Sequence, residues 1–180
     1  MSRKTSDTPV VVITGAASGI GLAIAKECIK MHKHIVMADI DANSLAVQAN
    51  QLQQDADTKV ISVECDVTSP QAMQNLAEQT MLAFNRVDYL FNNAGISGRM
   101  APVWELNADE IHKVMDVNLY GVLNGIQAFL PVMFQQSHRS QIINISSFFG
   151  LCSGSNMAAY AMSKHAIVAL SESLYFDLHN

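Results

Sequence analysis

Residues 10–21 read VVVITGAASGIG. Val10 to Ile13 form an unbroken β-branched run, the pattern of a strand buried on both faces. Glycines follow at 15, 19 and 21, and a helical pattern then runs to about Met31. Glycine permits a tight turn and lets backbone approach a ligand with no Cβ in the way. A helix that starts there points its free N–H groups at whatever lies above the turn, which suits a pyrophosphate. A glycine-rich turn alone is weak evidence, but between a strand and a helix it indicates a dinucleotide site. Gly15, Ser18, Gly19, Ile20 and Gly21 are the candidate contacts.

Outward from this turn the chain keeps alternating strand and helix. HIVMADI (34–40) is a second strand carrying Asp39, 18 residues beyond Gly21. A carboxylate there can accept hydrogen bonds from adenosine ribose hydroxyls and repels a 2′-phosphate. Ser18 and Ile40 offer no neighbouring cation, so NAD is expected over NADP. Ala42 to Gln54 is a predicted helix and Lys59 to Glu64 a third strand. Asp66 and Val67 follow at its carboxyl end, the edge where doubly wound sheets bind ligands. Ser69-Pro70 opens a helix to about Asn85, serine as N-cap and proline in the first turn. Val87 to Phe91 is a fourth strand running into Asn92, Asn93, Ala94 and Gly95, small and amide residues that allow close approach to a cofactor. The alternation predicts an α/β fold, a doubly wound parallel sheet of Rossmann-like type in one domain over 10–180, after a polar tail at 1–9.

The second half carries the candidate chemistry. Asn107 and Glu110 match a capping box opening a long helix. Its predicted inward stripe is Ile111, Met115, Asn118, Val122, Ile126 and Phe129, and Pro131 should kink or end it. An amide at Asn118 on an apolar face needs a partner, structural or catalytic. Residues 142–164 read IINISSFFGLCSGSNMAAYAMSK. Ile142, Ile143 and Ile145 suggest a buried strand, with Ser146 and Ser147 at its end. Tyr160 and Lys164, four apart, share a helix face. An ammonium near the phenol favours phenolate and brings the tyrosine towards proton exchange near neutral pH. Phe148, Phe149, Leu151, Cys152 and Met157 are expected to form an apolar pocket wall. The tyrosine–lysine pair is a weak pattern alone; its setting gives it weight.

Composition removes other classes. With 49% hydrophobic and 15% charged residues the chain is a globular domain with a real core. A net charge of −5 without a Lys/Arg run opposes nucleic-acid binding. The N-terminus lacks a signal-peptide core and no apolar stretch reaches membrane-spanning length, so neither secretion nor a membrane partner is expected. Three widely spaced cysteines fit reduced thiols in a cytoplasmic protein. The histidines show no metal-ligand spacing, and no metal is expected.

Taken together, these motifs resemble the short-chain dehydrogenase/reductase family. TGAASGIG (14–21) is similar to its cofactor turn, Asp66-Val67 to its adenine contact and NNAG (92–95) to its sheet-stabilising motif. Asn118, Ser147, Tyr160 and Lys164 match its catalytic set, Ser147 being preferred to Ser146 because it lies 13 residues before Tyr160. The resemblance implies hydride transfer between NAD(H) and an alcohol or ketone. Ser147 would orient the substrate oxygen, and Tyr160 would exchange its proton and also contact the cofactor. Lys164 would lower the tyrosine pKa and hold the nicotinamide ribose, and Asn118 would fix a water leading to Lys164. Members of the family extend past the helix ending near Asn180, so a C-terminally truncated chain is expected, weakly active and self-associating into a homo-oligomer. A catalytically silent dinucleotide-binding module is the alternative.

Overall fold

The computed structural model describes residues 8–54 and 56–179; positions 1–7 of the N-terminal tail, Asp55 and Asn180 lie outside them. Its elements run β1 (Val10–Thr14), α1 (Gly19–Lys30), β2 (His34–Asp39), α2 (Ala42–Gln54), β3 (Val60–Glu64), α3 (Pro70–Phe84), β4 (Tyr89–Asn92), α4 (Ala108–Met115), α5 (Gly121–Phe134), β5 (Gln141–Asn144) and α6 (Ala158–His179). The strands form one five-stranded sheet in the order β3-β2-β1-β4-β5, with every neighbouring pair parallel. The chain leaves β1 towards β2 and β3, then crosses back to β4 and β5. The crevice outside the carboxyl ends of β1 and β4 is therefore the switch point, where such sheets hold ligands.

All five residues of β1 are buried, as the continuous apolar run predicts. Its alternation splits them between two cores. Val10 and Val12 pack with Met73, Leu76 and Phe129 from α3 and α5. Val11 and Ile13 pack with Ala25, Ile29, Leu45 and Leu52 from α1 and α2. Each fully buried branched side chain contributes about 1.5–3 kcal/mol of transfer free energy. Cys65 belongs to the first core, where burial pushes its thiol up to about 11.

Both capping expectations hold. The Ser69 hydroxyl accepts from Ala72 N–H ahead of α3, and Asn107 and Glu110 form a complete capping box at α4. Four expectations need correction. The fourth strand is shifted, pairing over Tyr89–Asn92, because Val87 instead exchanges bonds with the Gln136 side chain. The long helix is interrupted by a π turn over Asp116–Tyr120. That wider turn changes the helical phase, so the buried residue before Asn118 is Val114, while Ile111 and Met115 are only partly covered. Pro131 does not end α5, which continues to Phe134. Finally, β5 is an edge strand, exposed at Gln141 and half-buried over Ile142, Ile143 and Asn144, so it is not the buried strand its isoleucines suggested.

The joined helical run Ala108–Phe134 is long and apolar enough to span a membrane by length and composition. This departs from the reading that no stretch reaches that length. Val122, Ile126 and Phe129 on it are buried, against α6 and the sheet, as in the central helix of a globular core.

Opposite the crevice, Asp88 secures the start of the sheet. Its carboxylate accepts from Val10 N–H at 2.8 Å and from Arg86 Nε at 2.8 Å. Asp88→Ala should lower stability by about 1–3 kcal/mol, because a buried strand amide loses its acceptor. Urea unfolding checks this; a loss below about 0.5 kcal/mol would show that water replaces the carboxylate.

Candidate active site

Two adjoining clefts lie above the carboxyl edge of the sheet. The first, of about 510 Å³, is lined by Gly15, Ser18, Gly19, Ile20, Asp39, Ile40, Cys65, Asp66, Val67, Asn93, Ala94, Gly95, Ile96, Lys113 and Val117. It thus brings together every residue assigned from sequence to the cofactor except Gly21, Tyr160 and Lys164. Gly15 stands at φ +65°, and a Cβ on it would come 2.8 Å from Ala94 Cα; glycine there lets the turn close against β4.

Thr14 holds that closure. Its Oγ1 donates to Phe91 O at 3.3 Å and accepts from Asn93 N at 3.0 Å and Ala94 N at 3.1 Å. The Asn93 amide returns the contact, donating to Thr14 O at 2.8 Å and Gly15 O at 3.2 Å. Asp39 accepts from Ala17 N at 2.9 Å through one oxygen and from Asp41 N at 3.1 Å through the other, which fixes its carboxylate beside the turn. Asp66 is set by its own turn, accepting from Thr68 N and Oγ1 at 2.9 and 2.8 Å. Val67 O accepts from Asn124 Nδ2 at 2.9 Å.

These residues fit a dinucleotide. Ser18 makes no side-chain cap at the start of α1, so the first-turn N–H groups stay available to an anion. Gly19, at φ +53°, has nothing within 4 Å of where a Cβ would stand, so this backbone borders open space.

The second cleft, of about 420 Å³, is lined by Ile20, Asn93, Gly95, Ile96, Ser97, Ile145, Ser146, Ser147, Phe149, Met157, Tyr160 and Lys164. It shares Ile20, Asn93, Gly95 and Ile96 with the first. Ser147 follows β5 and caps a short 3₁₀ turn, its Oγ accepting from Phe149 N at 3.2 Å; its O–H remains for another acceptor. Tyr160 and Lys164 stand one turn apart on α6, with Nζ 5.7 Å from the phenol ring centroid. Lys164 is buried and donates to Ile145 O at 2.8 Å, and that burial lowers its pKa from the usual lysine value.

Asn118 is fully buried on the π turn, a feature that often marks functional helices. Its Oδ1 accepts from Ile96 N at 2.8 Å, and its Nδ2 donates to Ile96 O at 2.9 Å and Ser163 Oγ at 3.0 Å. The amide therefore holds the loop after β4 and does not touch Lys164 directly.

Several contributors escape a reading of sequence. Ser163 Oγ donates to Tyr160 O at 2.7 Å while accepting from Asn118, so it joins the π turn to α6. Ser146, set aside in favour of Ser147, donates to Lys164 O at 2.9 Å and ties β5 to α6. Lys113 reaches the first cleft from α4, 74 positions beyond Asp39. No local pattern announces these; only the spacing of Ser163 one position before Lys164 could have drawn notice. The predicted apolar wall is also narrower than expected. Phe148 and Leu151 are 74% and 77% exposed, and only Phe149 and Met157 of that set line the cleft.

A parallel sheet with a glycine turn at its switch point, beside a cleft lined by serine, tyrosine and lysine, places the chain among Rossmann-like α/β proteins. Comparison with known proteins makes the class specific. The family model described as short chain dehydrogenase matches residues 9–180, and the chain belongs to that family, the short-chain dehydrogenases/reductases. It is 34% identical over 173 residues to 1-deoxy-11-beta-hydroxypentalenate dehydrogenase of Streptomyces arenae, covering 96% of this chain and 61% of that protein. A short chain dehydrogenase/reductase from Burkholderia phymatum in complex with NAD superposes with a TM-score of 0.93 at 39% identity, covering 99% of this chain and 63% of that one. A metagenomic short-chain oxidoreductase in complex with NADP gives 0.89 at 30% identity, covering 97% and 78%.

Replacing Ser163 by alanine leaves an Asn118 donor without its partner in a fully buried place. The expected cost is about 1–3 kcal/mol, read by thermal or urea unfolding, with Ser163→Thr losing less than Ser163→Ala. An alanine variant as stable as the parent would show the bond to be dispensable.

Proposed function

We propose that this chain carries the cofactor-binding and catalytic part of an oxidoreductase that moves hydride between NAD(H) and an alcohol or ketone. The observation that carries this reading is one cleft holding Ser147, Tyr160 and Lys164, continuous with the cleft beside the glycine turn through four shared residues. A bound nicotinamide dinucleotide would supply the hydride acceptor or donor. In the oxidative direction the carbinol C–H bond breaks with its electron pair, the O–H proton passes to Tyr160, and C=O forms. Ser147 donates to the same oxygen and orients it. Lys164, which lines the same cleft, would hold the nicotinamide ribose. Gly95 supports a water route: a Cβ there would lie 3.2 Å from Asn118 Oδ1 and 3.6 Å from Lys164 Nζ. The bare glycine leaves that space for a water held by the second lone pair of Asn118 Oδ1.

Asp39 supports NAD over NADP, since its fixed carboxylate borders the first cleft. Lys113, the one cation among the described residues lining it, comes from α4 rather than from the turn or β2. Known neighbours include one holding NAD and one holding NADP, so cofactor choice rests on this local charge. Fluorescence titration should show tighter NADH than NADPH, and Asp39→Arg should reverse the order. Equal or tighter NADPH binding by the parent chain would sink the assignment.

The chain spans 61% of its Streptomyces relative, and a silent dinucleotide-binding module is the second reading. Exposed Tyr175, Phe176 and Leu178 at the end of α6 and the unpaired side of β5 support both low activity and self-association into a homo-oligomer. Turnover separates the readings. With cofactor and a secondary alcohol, Tyr160→Phe should lower the rate by roughly 10²–10⁴-fold while NADH binding stays largely intact. A variant retaining half the parent rate would show that the proton goes elsewhere. A parent that binds NADH and turns over nothing would favour the silent module.

A further inference from the structure

We propose, resting on the cofactor reading above, that Asn124 is a positioning residue for the adenosine half of the dinucleotide. From α5 it fixes Val67 on the wall of the first cleft, and Gly121 makes the room that Val67 needs. The reason begins at β3, which ends at Glu64. Cys65 still bonds back towards β2, its N–H donating to Asp39 O at 2.9 Å. Asp66 is set by local bonds, accepting from Thr68 N and Oγ1 and, at its carbonyl, from Ser69 N at 3.1 Å. Val67 lies between these fixed points, buried, and lines the first cleft together with Cys65 and Asp66. Its carbonyl stands past the strand ladder and needs a donor from elsewhere. Asn124 Nδ2 supplies it across 57 positions, at 2.9 Å.

Gly121 stands three residues before Asn124, on the same helix face. A Cβ on it would lie 2.7 Å from Val67 Cγ2 and 3.1 Å from Val67 Cβ, well inside the ~3.5–4.0 Å at which carbon atoms pack. One residue therefore holds the Val67 carbonyl while the other lets its side chain come close. The same helical run meets the site at two further points. Val117 lines the first cleft, and Asn118 binds the backbone of Ile96, a residue that borders both clefts. A dinucleotide lying across both clefts needs its two ends held at a fixed separation. The run from Val117 to Asn124 ties the adenosine wall to the segment between the clefts, so its contact with Val67 sets where the base end sits relative to the catalytic end.

The test titrates the full 180-residue chain with NADH by fluorescence and with AMP by saturation-transfer NMR, at pH 7 and a temperature where circular dichroism shows each variant folded. Asn124→Ala should weaken both ligands about fivefold, the effect of one lost hydrogen bond. Asn124→Asp keeps the shape but has no N–H to give, and its carboxylate would face Val67 O, so it should weaken them at least as much. Gly121→Ala should act in the same direction by displacing Val67. Asn124→Asp, the isosteric change, decides the matter if either other variant does not fold. A residue that only stabilised the fold would leave the affinities of the folded chain unchanged. NADH binding by Asn124→Asp within twofold of the parent, a loss for NADH without a matching loss for AMP, or a parent that binds NADH but not AMP would overturn the proposal and leave the cofactor reading standing. A parent that does not bind NADH would overturn the cofactor reading, and this proposal with it.

Discussion

Thr14 Oγ1 sits where three bonds meet, donating to Phe91 O and accepting from Asn93 and Ala94 N–H. The constraint behind it is general to a parallel sheet. All strands end at the same edge, so all their terminal amides and carbonyls appear together and must be satisfied there. Here side chains do that work, and they leave a gap between β1 and β4 at the switch point. Asn93 holds the glycine turn against the segment after β4 by donating to Thr14 O and Gly15 O as well. Both clefts take the shared residues Asn93, Gly95 and Ile96 from the segment this lacing holds.

The same need for partners organises the catalytic half. Lys164 and Ser146 exchange bonds between α6 and the end of β5: Nζ to Ile145 O, and Ser146 Oγ to Lys164 O. Asn118 and Ser163 do likewise between the π turn, the loop at Ile96 and the first turn of α6. Each bond is worth only about 1 kcal/mol net. Buried together, they leave α6 few ways to shift relative to Ser147, and that restriction is what acid–base chemistry at a single oxygen requires.

What could be read from sequence follows from how local each signal is. β1, the glycine turn, both helix caps and the Tyr160–Lys164 face depend on neighbours within a few positions, so their patterns survive in the linear chain. Asp39 was legible for a related reason, its place at the end of a strand a fixed distance beyond the turn. The phase of the long helix was not. A π turn adds one residue to a single turn and leaves no mark in hydrophobic spacing, so Val114 and Met115 exchange roles. Ser146 and Ser163 act across 18 and 45 positions respectively, and no periodicity records such pairings.

Charge then separates the two clefts. The first holds Asp39, Asp66 and Lys113 at its margins, a polar border suited to a ligand with hydroxyls and an anion. The second has only Lys164 among its described lining residues, spent on a carbonyl and held at a lowered pKa by burial.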